Sequence, residues 1–194
     1  MVRVKICGIT NLEDALLSVE LGTHALGFVF YKGSKRYIRP EDAKAIVRKI
    51  PPFVTKVGVF VEEDEIEIQN LMKGIGLDLA QIYRDVSLDP RIAIRAVRIR
   101  DEEDLIEVEK TPYFPLLDAY SEAYGGGGVR FDWNLLKKVK RDFILAGGIN
   151  LENLEDALSI KPYAIDVCSG LEESPGKKDK RKMKEFFERI RNHE

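Results

Sequence analysis

Short apolar runs alternate with helical stretches along the whole chain. Runs at Val2 to Cys7, Ala25 to Phe30, Val54 to Phe60, Leu79 to Tyr83, Ile94 to Ile99, Pro115 to Asp118, Asp142 to Ala146 and Tyr163 to Cys168 read as eight strands. Between them the apolar positions recur at helical spacing. Examples are Leu12, Ala15, Leu16 and Val19; Ala43, Ile46, Val47 and Ile50 after Pro40; Leu151, Leu154, Ala157 and Leu158; and Met183, Phe186, Phe187 and Ile190. Thr10, with Glu13 three residues on, is placed to cap the first of these helices. Strand and helix in strict alternation demand a parallel sheet, and eight repeats favour its closure into a single-domain (β/α)8 barrel over residues 1–194. The connection between the fourth and fifth strands is too short for a full crossover helix and contains Pro90, so the fourth helix is expected to be short or missing.

Strand parity then says where chemistry can sit. In the first strand Val2, Val4 and Ile6 share one face, and Arg3, Lys5 and Cys7 the other, so the thiol faces a polar interior or an opening. In a barrel of this kind the reacting groups gather at the C-terminal ends of the strands. Those ends carry Cys7, Asp118, the pair Gly147-Gly148, and Asp166 leading to Ser169-Gly170. A free cysteine is more often a small buried hydrophobe, and Asp118 could equally cap local backbone, so neither residue alone argues for catalysis. Glycine-bearing turns after the seventh and eighth strands are where such barrels commonly cradle phosphate with backbone N–H groups, which implies a phosphorylated ligand. The segment Ala119 to Arg130, with four consecutive glycines at 125–128, reads as a lid or as a plain connector. Pro51-Pro52-Phe53 precedes the third strand, at the opposite end, where a local plug or an oligomer contact is expected.

Composition narrows the partners. A formal net charge of −2 with interspersed Lys and Glu offers no basic stripe for nucleic acid, and the charged run Lys177 to Lys184 reads as a solvated helix. No apolar run is long enough to cross a bilayer and no signal core opens the chain, so a cytoplasmic protein without a membrane partner is expected. Cys7 and Cys168 are the only cysteines, far apart in sequence and without metal spacing, which argues against a disulfide framework and against a metal site.

The residues Val4-Lys5-Ile6-Cys7-Gly8-Ile9-Thr10, Gly27-Phe28-Val29-Phe30, Ser34-Lys35-Arg36-Tyr37-Ile38, Leu117-Asp118, Phe131-Asp132-Trp133, Ala146-Gly147-Gly148, Asp166-Val167-Cys168-Ser169-Gly170 and Pro175-Gly176-Lys177-Lys178-Asp179 stand in an order and spacing that resembles the phosphoribosylanthranilate isomerase family across nearly the whole chain. The resemblance implies an Amadori rearrangement of a small phosphorylated aminosugar in tryptophan biosynthesis, needing no cofactor. By similarity Asp118 would be the general acid that opens the sugar ring and Cys7 the general base that takes the C2 proton. Arg36 would engage the anthranilate carboxylate. Asp166 would lie near the sugar or organise the acid-base site, and Gly147, Gly148, Ser169 and Gly170 would hold the phosphate. Lys5, sharing parity with Cys7, either favours its thiolate or pairs with a barrel carboxylate.

Five positions depart from the family pattern. Gln81-Ile82-Tyr83-Arg84 replaces a common Gln-Leu-His-Gly, Arg98 stands where glycine is frequent, and Cys168 replaces a common serine. Tyr83 and Arg84 are expected either to alter ligand contacts or to close the shortened connection. Cys168 reads as a tolerated packing substitution with no partner nearby. The competing readings are a noncatalytic barrel that binds a phosphate ligand and the related histidine-pathway aminoaldose isomerase, whose aspartate stands where Cys7 does. A homodimer is left open.

Overall fold

The computed structural model describes residues 2–119 and 132–193. Eight parallel strands close into a barrel in chain order: β1 (Arg3–Ile6), β2 (Ala25–Val29), β3 (Thr55–Phe60), β4 (Leu79–Ile82), β5 (Ala93–Ile99), β6 (Phe114–Ala119), β7 (Ile144–Leu145) and β8 (Ala164–Val167), with β8 pairing back onto β1. The helices α1 (Leu12–Leu21), α2 (Pro40–Val47), α3 (Glu65–Ile75), α4 (Leu105–Lys110), α5 (Leu154–Ser159) and α6 (Lys180–Asn192) follow β1, β2, β3, β5, β7 and β8. No helix separates β4 from β5, as the short connection requires, and a 3-10 segment at Trp133–Lys138 precedes β7. The glycine run proposed as a lid or connector lies outside the described residues.

Parity sorts the strand residues into two apolar bodies. Val4, Ile6, Leu26, Phe28, Phe60, Ile82, Val97, Ile99, Leu117, Leu145 and Ile165 point outward into the layer between strands and helices, where Met183, Phe186, Phe187 and Ile190 of α6 join them. Inside the barrel a smaller cluster of Val57, Ile94, Ala96, Leu116, Ile144, Ala146 and Ala164 fills the lower part. Above that plug the inward positions turn polar, with Lys5, Gln81, Asp118 and Asp166 all buried. An apolar floor beneath buried charge is what confines water and reagents to the open C-terminal end.

The local expectations need three corrections at the chain's first helix and near its end. Asn11, not Thr10, caps α1, its side chain accepting from the Asp14 N–H at 2.8 Å, while the Thr10 hydroxyl donates to the Gly176 carbonyl. The buried face of α1 is Asp14, Ala15 and Ser18, and Leu12 and Leu16 are exposed. Asp14 is buried because its Oδ2 accepts from the Lys178 N–H at 2.8 Å, tying α1 to the C-terminal segment. That segment is not all solvated helix. After a 3-10 turn at Ser169–Leu171, β9 (Glu172–Ser174) and β10 (Lys177–Lys178) form an antiparallel pair, and Lys178 is completely buried before α6 begins at Lys180.

Candidate active site

A pocket opens at the C-terminal end of the barrel, and it gathers most of the residues named from sequence. Cys7, Arg36, Asp118, Gly147, Gly148, Asp166 and Ser169 line it, together with Gln81, Tyr83, Cys168 and an apolar wall of Val29, Val59, Val61 and Ile149. Cys7, Tyr83 and Cys168 stand one residue past the ends of β1, β4 and β8, where ladder pairing stops and side chains face the mouth.

One continuous buried hydrogen-bond chain organises the polar layer. Lys5, in register with Asp166 across β1 and β8, donates from Nζ to Asp166 Oδ2 at 2.7 Å and to Gln81 Oε1 at 2.9 Å. Gln81 Nε2 approaches the Tyr83 hydroxyl at 3.3 Å, and that hydroxyl donates to Asp118 Oδ2 at 3.0 Å. Burial by itself lowers the Lys5 pKa, but Asp166 and Cys7 beside it more than offset that and raise it. Both alternatives for Lys5 therefore hold at once, since one ammonium serves the carboxylate and the thiol. Asp166 keeps its second oxygen, Oδ1, buried without a hydrogen-bond partner among the described residues.

The two groups named as base and acid are pushed in opposite directions. The Cys7 thiol is lowered to about 7, chiefly because the Cys168 thiol hydrogen-bonds it; burial opposes this, and the charges of Lys5 and Lys178 assist. The Asp118 carboxyl is raised to about 6 by burial, with the Tyr83 hydroxyl bond pulling part of the way back. A thiol brought toward its anion and a carboxyl brought toward its acid, on opposite walls of one pocket, form an acid-base pair suited to neutral pH.

Cys168 corrects the sequence reading, which gave it no partner. Closing the barrel sets β8 beside β1, with Ile6 paired to Val167 and the Cys7 N–H donating to the Val167 carbonyl at 2.9 Å, so residues 7 and 168 become neighbours. Both cysteines are free thiols.

Arg36 is buried, not a surface arginine, and its fork closes on Glu172: Nε donates to Oε1 at 2.9 Å and Nη2 to Oε2 at 2.6 Å. Its third nitrogen, Nη1, has no protein partner among the described residues. Glu172 is not named from sequence, and Lys178 appears there within the element at 175–179 without a role. Lys178 Nζ donates to the carbonyls of Cys7 at 2.6 Å and Cys168 at 3.2 Å and to Glu172 Oε1 at 3.2 Å, fixing both thiol-bearing turns from beneath. Arg36 and Lys178 hold the Glu172 carboxyl below its ordinary range against its burial. The only sequence signal for this triad was the Pro-Gly-Lys-Lys-Asp element at 175–179.

The glycines divide by role. At Gly147, φ is +81° and a Cβ would stand 2.4 Å from the Ala119 nitrogen and 3.0 Å from Asp118 Oδ1, so only glycine lets the β7 turn pass this close to the acid. Gly170 does not line the pocket. A Cβ there would meet the Ile149 carbonyl at 2.1 Å, so its part is to let the turns after β7 and β8 pack together. Of the other departures, Arg84 donates to the Glu62 carbonyl at 2.7 Å and braces the shortened connection, whereas Tyr83 faces the pocket. Arg98 is in register with Asp118 on β6 and outside the pocket lining.

Against known proteins, residues 4–189 match the family model described as N-(5′-phosphoribosyl)anthranilate (PRA) isomerase. A Thermotoga petrophila protein named N-(5′-phosphoribosyl)anthranilate isomerase is 46% identical over 199 residues, covering 96% of this chain and 97% of that protein. The crystal structure of phosphoribosyl anthranilate isomerase from Thermotoga maritima superposes with a TM-score of 0.88 at 42% identity, covering 99% of this chain and 100% of that one. A structure of the isomerase in complex with reduced 1-(o-carboxyphenylamino)-1-deoxyribulose 5-phosphate has a TM-score of 0.85 at 40% identity, with the same coverage.

Proposed function

The chain belongs to the N-(5′-phosphoribosyl)anthranilate isomerase family, and we propose that its barrel mouth converts N-(5-phosphoribosyl)anthranilate into 1-(2-carboxyphenylamino)-1-deoxyribulose 5-phosphate, in tryptophan biosynthesis. The observation that carries the reading is the opposed pair: Cys7 lowered to about 7 and Asp118 raised to about 6, both lining one pocket.

The reaction moves protons and changes no net composition. Asp118, protonated, gives its proton to the ring oxygen of the phosphoribosyl group; the C1–O bond breaks and the anthranilate nitrogen lone pair forms the C1=N bond. Cys7, as thiolate, then takes the proton from C2, and the electrons of that C–H bond move toward the iminium to leave an enaminol. Tautomerisation at C1 and C2 yields the ketose. Each group starts in the form that its surroundings favour relative to a free side chain.

The remaining lining residues fit the rest of the substrate. Arg36 lines the pocket and is held on two nitrogens by Glu172, which leaves Nη1 for the anthranilate carboxylate. Val29, Val59 and Val61 offer an apolar wall to the aromatic ring. Asp166 Oδ1, buried and unpartnered among the described residues, suits a sugar hydroxyl donor. The turns at Gly147-Gly148 and Ser169 supply backbone donors for the phosphate, with Gly170 as a packing residue behind them. At the other end of the barrel Phe53 is fully exposed at φ +72°, a strained backbone that holds an aromatic side chain in solvent, and this supports a homodimer contact there.

The deciding experiment follows substrate fluorescence as freshly generated phosphoribosylanthranilate meets wild-type and Cys7→Ala protein. Rapid loss that depends on Cys7 supports the isomerase; tight binding of the reduced product analogue without turnover by wild type would replace it with a noncatalytic phosphate-ligand barrel.

A further inference from the structure

The base of the proposed reaction does not stand alone at the mouth. Cys7 and Cys168 follow β1 and β8 in register, one residue beyond the Ile6 and Val167 pair. Adjacent strands lie about 4.8 Å apart, within the Cα separation of roughly 4.4–6.8 Å that a disulfide spans. Cys168 packs against the small cluster that Cys7 forms with Val29 and Val59, and both thiols line the open pocket. The Cys168 sulfur lies close to the Cys7 turn, since a Cβ on Gly8, the residue after Cys7, would come within 2.9 Å of it. Cys7 has thiolate character, with Lys5 beside it, while Cys168 is held as the thiol by its bond to Cys7. An activated thiolate with a neutral thiol in reach is the arrangement of an attacking and a resolving cysteine.

We propose that Cys7 and Cys168 form a reversible dithiol-disulfide site that takes a hydroperoxide as its oxidant. The Cys7 sulfur attacks the distal peroxide oxygen, the O–O bond breaks, and the remainder leaves as water or an alcohol, giving the Cys7 sulfenic acid. The Cys168 sulfur then attacks the Cys7 sulfur, the S–O bond breaks, and the departing hydroxide takes the Cys168 proton to leave as water. Two thiols are oxidised by two electrons to one disulfide, and one peroxide is reduced. The linkage removes the base and so switches off the isomerase, and it also shields Cys7 from irreversible over-oxidation. A serine at position 168 could not close it.

The test treats the reduced full-length protein with a few equivalents of hydrogen peroxide and reads intact mass, cross-linked peptides and turnover. Expected for wild type are a loss of about 2 Da, for two hydrogens, a peptide joining Cys7 to Cys168, turnover falling in proportion to the cross-linked fraction, and full recovery with dithiothreitol. Cys168→Ser should instead gain oxygen at Cys7 with no cross-link and lose activity that dithiothreitol does not fully restore. Wild-type protein that gains oxygen at Cys7 without the joined peptide, or keeps both thiols unreacted, would overturn the proposal. The mass readout stands apart from the isomerase reading: a protein that cross-links but never turns over substrate refutes the reaction and not the thiol chemistry.

Discussion

Replacing Tyr83 with Phe removes one hydroxyl and should move the whole pH profile. That hydroxyl donates to Asp118 Oδ2 at 3.0 Å inside the barrel, and it restrains a carboxyl that burial drives up to about 6. A hydrogen bond to a charged group is worth about 1.5–3 kcal/mol, and at about 1.36 kcal/mol per unit its loss raises Asp118 by roughly 1–2 units. The direction matters because the acid must be protonated while Cys7, at about 7, must not be. With the acid below the base, only ~0.06 of the molecules hold the productive pair at the profile's midpoint near pH ~6.5. In Tyr83→Phe the midpoint moves up by half the shift, to ~7–7.5, and the productive fraction at that point rises to ~0.25–0.6. The gain in turnover will be smaller than the gain in fraction, since the carboxyl loses an orienting bond and becomes a weaker acid. The assay is kcat against pH for wild type, Tyr83→Phe, Asp118→Asn and the double variant. A profile that stays put or shifts to acid refutes the reasoning, as does the same shift appearing in the Asp118→Asn background, where no titrating carboxyl remains.

Other consequences can be checked alongside. Cys7→Ala and Asp118→Asn should each lower kcat by about 10²–10⁴, while calorimetric affinity for the reduced product analogue stays within a few-fold of wild type. Lys178→Met deletes a buried ammonium bonded to two carbonyls and Glu172; a broken buried pair costs about 3–5 kcal/mol, and a chain of this size should lose ~6–15 °C of Tm by differential scanning calorimetry. Gly147→Ala forces a Cβ against the Ala119 nitrogen and should lower both Tm and kcat, with the larger effect on kcat because Asp118 is displaced. Phe53→Ser should leave kcat unchanged and shift sedimentation toward the monomer.

Much of this architecture can be read from periodicity. The eight strands, the absent helix before β5, and the inward face of Lys5 and Cys7 all follow from alternation, and barrel closure follows from repetition. What periodicity cannot say is which ends meet after closure. Residues 7 and 168 are neighbours only because β8 returns to β1, so Cys168 read as isolated until the ring was closed. Lys178 and Glu172 were hidden for a different reason. They sit in a stretch so rich in charge that solvation is the ordinary reading, yet these two neutralise each other with Arg36 in the interior. The exposed Leu12 and Leu16 show the converse error, since the buried side of α1 is set by Asp14 reaching the Lys178 backbone and not by the larger apolar residues.

The anchor of the Cys7 turn lies 171 residues away, near the other end of the chain. During synthesis β1 leaves the ribosome long before Lys178 exists, so its thiol loop waits, untethered, until the β9–β10 pair is made. A nascent or truncated chain ending before the β9–β10 pair can assemble much of the barrel wall and still lack a positioned base. Competence therefore lags closure: β8 seals the ring against β1, and the segment that follows it sets the chemistry.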